Sequence, residues 1–133
     1  MNKNIIALAL AATCVFAAHA QGVSKDEMKA EKARIEGDYK AAKAKCDPLK
    51  DNAKDICNSE AKGMEKVAMA ELDAKAMPGA KSDAKVAEVK ADTAYNTAKE
   101  KCDDLKDDAK KVCASDAKAA HEMAKGQVKA MKK

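Results

Sequence analysis

Apolar and small residues recur along this chain at helical intervals, with little of the strict alternation that marks a half-buried strand. Ile35, Tyr39, Ala42 and Cys46 follow one another at spacings of four, three and four. Cys57, Ala61, Met64, Ala68 and Leu72 trace a second stripe, and Val86, Val89, Tyr95, Ala98 and Cys102 a third. Cys113, Ala117, Ala120, Ala124 and Val128 line a fourth, with Met123 beside them. The pattern predicts four helices. Ser24 and Glu27 have the spacing of a capping box at the start of the first. Pro48 has no amide hydrogen and disfavours a helical Asp47, so it breaks the first helix from the second. Asp51-Asn52 supplies turn chemistry, and either residue can cap the helix that follows. Met77-Pro78-Gly79-Ala80 reads as a helix stop followed by a linker, and Ser82-Asp83-Ala84 as a restart. Helices of this length, roughly 20–25 residues, reach about 30–37 Å.

Ahead of the first helix the pattern changes. Met1 to Asn4 carry one positive charge, and Ile5 to Ala18 form an uncharged apolar run. Ala18-His19-Ala20 is a small-x-small site, so residues 1–20 read as an export signal cleaved after Ala20. The run is too short for a comfortable membrane span, and no second apolar run follows. Ala11-Ala12-Thr13 is a poor match to the residues that precede a lipid-anchored cysteine, which argues against Cys14 as an anchor. The expectation is a periplasmic or secreted protein with no transmembrane segment after cleavage. Without Cys14, four cysteines remain: Cys46, Cys57, Cys102 and Cys113. An even number in a small exported chain implies disulfides, and the ten residues between the members of each pair do not match the short spacing of zinc sites.

The chain is duplicated with a shift of 56 residues. Tyr39 to Cys57 aligns with Tyr95 to Cys113, and twelve of the nineteen positions are identical, including both cysteines, the tyrosine and a leucine. Within each unit the cysteines settle the geometry. A straight helix from residue 46 to 57 would separate their Cα atoms by about 16 Å. A disulfide needs about 4.4–6.8 Å. Folding the chain at the midpoint, the Asp51-Asn52 step in one unit and Asp107-Asp108 in the other, brings the partners opposite each other. The favoured pairing is Cys46–Cys57 and Cys102–Cys113, since an ancestral single unit would already have held a complete pair. The rival is Cys46–Cys113 with Cys57–Cys102 across two continuous helices. Pro48 opposes it in the first unit, but Asp104 stands at the matching place in the second. The fold class expected is all-α: two disulfide-stapled antiparallel helical hairpins, forming either a four-helix bundle or an elongated pair. The hairpins are assigned to residues 21–77 and 82–133, with a linker at 78–81.

Composition narrows the chemistry. Of 133 residues only 2% are aromatic while 36% are charged, and the net charge is +4. More than half of the residues beyond 20 are Ala, Glu, Lys, Leu or Arg. That excludes a β-rich fold and a large aromatic core, and disfavours nucleic-acid readers that stack bases on aromatic rings. Lysines alternate with acids along most of the chain, which reads as a solvated helix surface. The stretch carrying Lys125, Lys129, Lys132 and Lys133 is the local basic patch and the candidate contact for an anionic surface. Asp103, Asp104, Asp107 and Asp108 crowd the second tip, and Asp47, Asp51 and Asp55 the first. The reading preferred for them is helix-start chemistry, because the alternating ligands, central Gly and closing Glu of a calcium loop are missing. His121 has no second His or Cys at ligand spacing and reads as part of a solvated helix face. The methionines beyond the signal read as fillers of a small core, with an adaptable binding surface as the alternative. No catalytic residue, metal site or cofactor is expected.

At Cys-Asp-x-Leu-Lys-Asp-[Asn/Asp]-Ala-Lys-x-[Ile/Val]-Cys the chain resembles a family of small exported proteobacterial proteins that carry the same duplicated block in an Ala/Lys-rich chain, often labelled TolA-like or cell envelope biogenesis proteins. The resemblance covers most of residues 24–130. The likeness to TolA itself is compositional and transfers neither its partners nor its membrane anchor. Many relatives carry Gly-Asn where this chain has Asp51-Asn52 and Asp107-Asp108, which implies a turn at both places. The resemblance brings no catalytic residues. The function expected is that of a non-enzymatic structural or interaction protein of the periplasm or cell envelope, whose partner is an envelope protein or surface, with self-association also open. The alternative is a periplasmic binder of polyanions, lipopolysaccharide or unfolded clients, acting as a holdase-like stress protein.

Overall fold

In a computed structural model, which describes residues 23–133, the chain forms four helices: α1 (Lys25–Cys46), α2 (Asp51–Ala76), α3 (Ala80–Asp103) and α4 (Asp107–Met131). Residues 1–20, read from the sequence as an export signal, and Cys14 among them lie outside the described residues. α1 begins where the sequence places it. The Ser24 hydroxyl accepts from the Glu27 amide at 3.2 Å, and the Glu27 carboxylate accepts from the Ser24 amide at 2.8 Å. Two donors that the first turn would otherwise leave orphaned are thus satisfied.

The ends of α1 and α3 show what the proline does. α1 stops at Cys46, whereas α3 runs on to Asp103, the repeat equivalent of Asp47. Where Asp104 replaces Pro48 the helix gains one residue. At each tip the chain turns back within a few residues, and both disulfides form as hairpin staples. Cys46–Cys57 and Cys102–Cys113 each hold their Cα atoms 5.6 Å apart, inside the usual range. The crossed pairing is therefore excluded.

The caps of α2 and α4 differ from expectation. Lys50 and Lys106 occupy the N-cap positions, with no side-chain cap. Asp51 and Asp107 instead take left-handed backbone, both at φ +50°. Asp is among the few non-glycine residues that tolerate this region, which lets the tip turn sharply into the next helix. The equivalence of the two sites is a direct mark of the duplication.

α3 starts at Ala80, two residues before the Ser82 restart read from the sequence. Gly79 holds φ +153° in the turn, a value costly for residues with a Cβ. The Ser82 hydroxyl donates to the carbonyls of Met77 and of Gly79, the latter at 3.1 Å, tying the turn to the new helix.

Packing follows chain order. α1 lies against α2, α2 against α3 and α3 against α4, and among the described residues α1 and α4 make no contact. The two stapled hairpins pack side by side through α2 and α3, so the four helices form an open row. Its core is correspondingly thin: Ile35, Cys46, Ala61, Leu72, Ala84, Cys102 and Val128 are the buried apolar residues. Each helix of a row keeps flanks open to solvent, and this corrects the reading of the methionines as core fillers. Met64, Met77 and Met123 are 60%, 72% and 67% exposed, although Met64 falls on the α2 stripe.

Candidate interaction surfaces

The three helix pairs are held by different chemistry. In the first hairpin, Ile35, Tyr39 and Ala42 of α1 meet Ala61 and Ala68 of α2 around a small groove of about 230 Å³. Alanines on the facing stripes let the axes approach closely. Arg34, on the outer side, bridges its own helix: it donates to Glu31 at 3.0 Å and to Asp38 at 2.7 Å. The Glu31 carboxyl is lowered, chiefly by its hydrogen bond with Arg34 despite opposing desolvation, and Arg34 is raised by the same bond. The Glu27 carboxyl is also lowered, first by the Ser24 amide it accepts from.

In the second hairpin, Tyr95 stacks on His121 with ring centroids 4.6 Å apart and planes within 5°. The His121 Nε2 lies 2.7 Å from an Asp92 carboxylate oxygen, and the His121 side chain is only 14% exposed. His121 is therefore part of the packing between α3 and α4, which overturns its assignment to a solvated face. The sequence pattern missed it because the imidazole is the polar half of an aromatic pair whose other half lies on another helix. Lys99 Nζ sits 5.7 Å from the Tyr95 ring centroid, within range of a cation–π contact.

Between the hairpins the contact is polar and close. Asn52 donates to the Glu100 carbonyl at 2.6 Å, and the Ser59 and Thr97 hydroxyls share a hydrogen bond of 3.1 Å. Gly63 is buried, and a Cβ placed there would lie 3.2 Å from the Thr93 Cβ. Lys101–Glu60 at 2.8 Å and Lys90–Glu71 at 2.7 Å bridge the two helices along one flank of the junction. This junction was not read from the sequence. Its signal was a glycine inside a helix, with small hydroxyl residues one turn away on both partners.

Two of the tip aspartates form ion pairs beside the tip. Asp103 pairs with Lys110 at 2.8 Å and Asp108 with Lys111 at 3.1 Å. Among the described residues no group of three or more His, Cys, Asp or Glu is placed to hold a metal ion. In the basic segment, Lys125 pairs with Glu122 at 3.3 Å and Lys132 with Glu88 at 3.2 Å, while Lys129 and Lys133 are exposed. No described helix is long and apolar enough to cross a membrane.

A concavity of about 850 Å³ lies where α2 turns into α3. Met69, Met77, Pro78 and Val89 give it an apolar lining, with Lys66 and Lys85 among its walls. Comparison of the chain with family models, with curated proteins and with solved structures gives no match.

Proposed function

We propose that this is an exported, non-enzymatic helical protein of the bacterial periplasm or cell envelope, and that it works by presenting helix faces to a partner. The observation that carries this reading is the open row itself. Two disulfide-stapled hairpins are joined side by side, leaving the outer faces of α1 and α4 and exposed side chains such as Val112 and Met123 free for contact. Staples of this kind persist in oxidising compartments, in keeping with the leader read at residues 1–20. Val112 and Met123 stand eleven residues apart, about three turns, and so share one exposed face of α4.

The test has two parts. Cell fractionation with thiol alkylation should recover the protein from the periplasm with all four paired cysteines blocked. In-cell photocrosslinking from position 112 or 123 should trap a discrete partner. Recovery of reduced protein from the cytoplasm would overturn the reading.

A second reading, a binder of amphipathic anions such as lipopolysaccharide, is favoured by the groove at the α2–α3 turn. Its apolar lining suits an acyl chain, and Lys66, Lys81 and Lys85 outnumber Glu65 and Asp73 around it, which suits an acidic head. Quenching of a fluorescent lipopolysaccharide probe that Val89→Asp abolishes would support it.

A further inference from the structure

The contact between α2 and α3 joins two copies of one ancestral unit, and each unit carries both halves of that contact. α2 and α4 are equivalent under the shift of 56 residues, as are α3 and α1. The α2 half is used inside the chain and its copy on α4 is free. The α3 half is used and its copy on α1 is free. Building on the reading above, we propose that the partner for these faces is a second copy of the chain, with α4 of one molecule packing on α1 of the next as α2 packs on α3.

The free faces keep part of the chemistry of the occupied ones. The closest approach inside the chain is Gly63 against Thr93, and its counterpart is Ala119 against Gly37, again a pair small enough for close packing. Apart from the backbone of its own helix, nothing lies within 4 Å of where a Gly37 Cβ would stand. The ion pair Glu60–Lys101 becomes Asp116 with Lys45, which preserves sign on both sides. Neither Asp116 nor Lys45 has an ion-pair partner among the described residues. Ile56 and Val67 on α2 are half-buried, whereas their counterparts Val112 and Met123 on α4 stand 59% and 67% exposed. On α1 the matching face presents Ala33, Gly37, Ala41 and Ala44, all exposed. Three features are lost in the transposition. Asp108 replaces Asn52 and cannot donate to a carbonyl, Ala41 replaces Thr97 opposite Ser115, and Gln127 replaces Glu71 opposite Arg34, so the second ion pair has no counterpart. The contact between molecules is thus weaker than the one within, which predicts reversible association.

Such a contact is heterologous. Each molecule offers one α1 face and one α4 face, so successive copies add in one direction and do not pair symmetrically. In effect the molecule is two repeats of an array whose stacking continues from chain to chain.

The experiment uses the full chain, expressed with its leader and purified oxidised. Sedimentation equilibrium should show average mass rising with concentration, over roughly 10 µM to 1 mM for contacts of this kind. Lys45→Glu and Asp116→Lys, both at exposed positions, should each weaken association about five- to tenfold while leaving helicity unchanged. An equimolar mixture of the two variants should form heterodimers through the charge-reversed pair. Gly37→Cys mixed with Ala119→Cys should give a 37–119 crosslink in non-reducing peptide maps. A monomer at every concentration would overturn the proposal. So would 119–119 or 37–37 crosslinks in place of 37–119, which would show a symmetric contact. A protein that stays monomeric yet crosslinks to an envelope partner from position 123 would leave the broader function standing.

Discussion

Asp51 and Asp107 carry left-handed backbone at the two tips, and the cost of that conformation falls on a residue with a Cβ. Glycine has no such penalty, although it loses more freedom on folding. The first effect is the larger at a genuinely left-handed site. Asp51→Gly and Asp107→Gly should therefore each stabilise the protein by about 0.5–1 kcal/mol in urea unfolding at constant disulfide state. Asp51→Val should act in the opposite direction, since a β-branched residue resists positive φ. The turn itself was legible from Asp51-Asn52. Its handedness was not, because Asp is compatible both with capping a helix and with positive φ, and only coordinates distinguish the two.

At the scale of the helix, sequence and structure agree where a side chain acts on its own segment and part where it acts across to another. The Ser24–Glu27 box lies within one turn of α1 and was readable directly. It also gives the chain a pH dependence. The Glu27 carboxyl is held below its ordinary value by the Ser24 amide, so its contribution is complete above about pH 4.5 and is lost as pH falls through the depressed value. Fraying of the first turn of α1 should appear in amide exchange below that pH, and Glu27→Gln should remove this pH dependence. The α2–α3 seam was hidden because Ser59, Gly63, Thr93 and Thr97 count as polar or neutral in any hydrophobic pattern. What they contribute is proximity. Gly63→Leu should force the helices apart and destabilise by about 1–3 kcal/mol. Gly126→Ala, where nothing lies within 4 Å of the added methyl, should stabilise by about 0.5–1 kcal/mol through helix propensity. Comparing the two variants by thermal unfolding separates the packing role of a helical glycine from its intrinsic cost.

For the whole molecule, the duplication and the cysteine spacing made the hairpins predictable, since one short loop and one disulfide determine each. The arrangement of the hairpins was not predictable, because it depends on a weakly apolar face. Few residues are fully buried, so the staples bear much of the stability. Replacing Cys46 and Cys57 together by serine should cost about 2–3 kcal/mol, and complete reduction about twice that if the units contribute independently. Loss of circular dichroism at 222 nm on adding dithiothreitol at a temperature the oxidised protein withstands would confirm it. Because every helix touches only its neighbours in the chain, the mean separation of contacting residues is short, and topologies of low contact order fold quickly. Once the cysteines are paired, folding is expected within microseconds to milliseconds, with opening that starts at α1 or α4 and moves inward. A chain built this way needs no distant segment to arrive before its first hairpin is complete, so that hairpin can close and lock its disulfide while the second half is still unfolded.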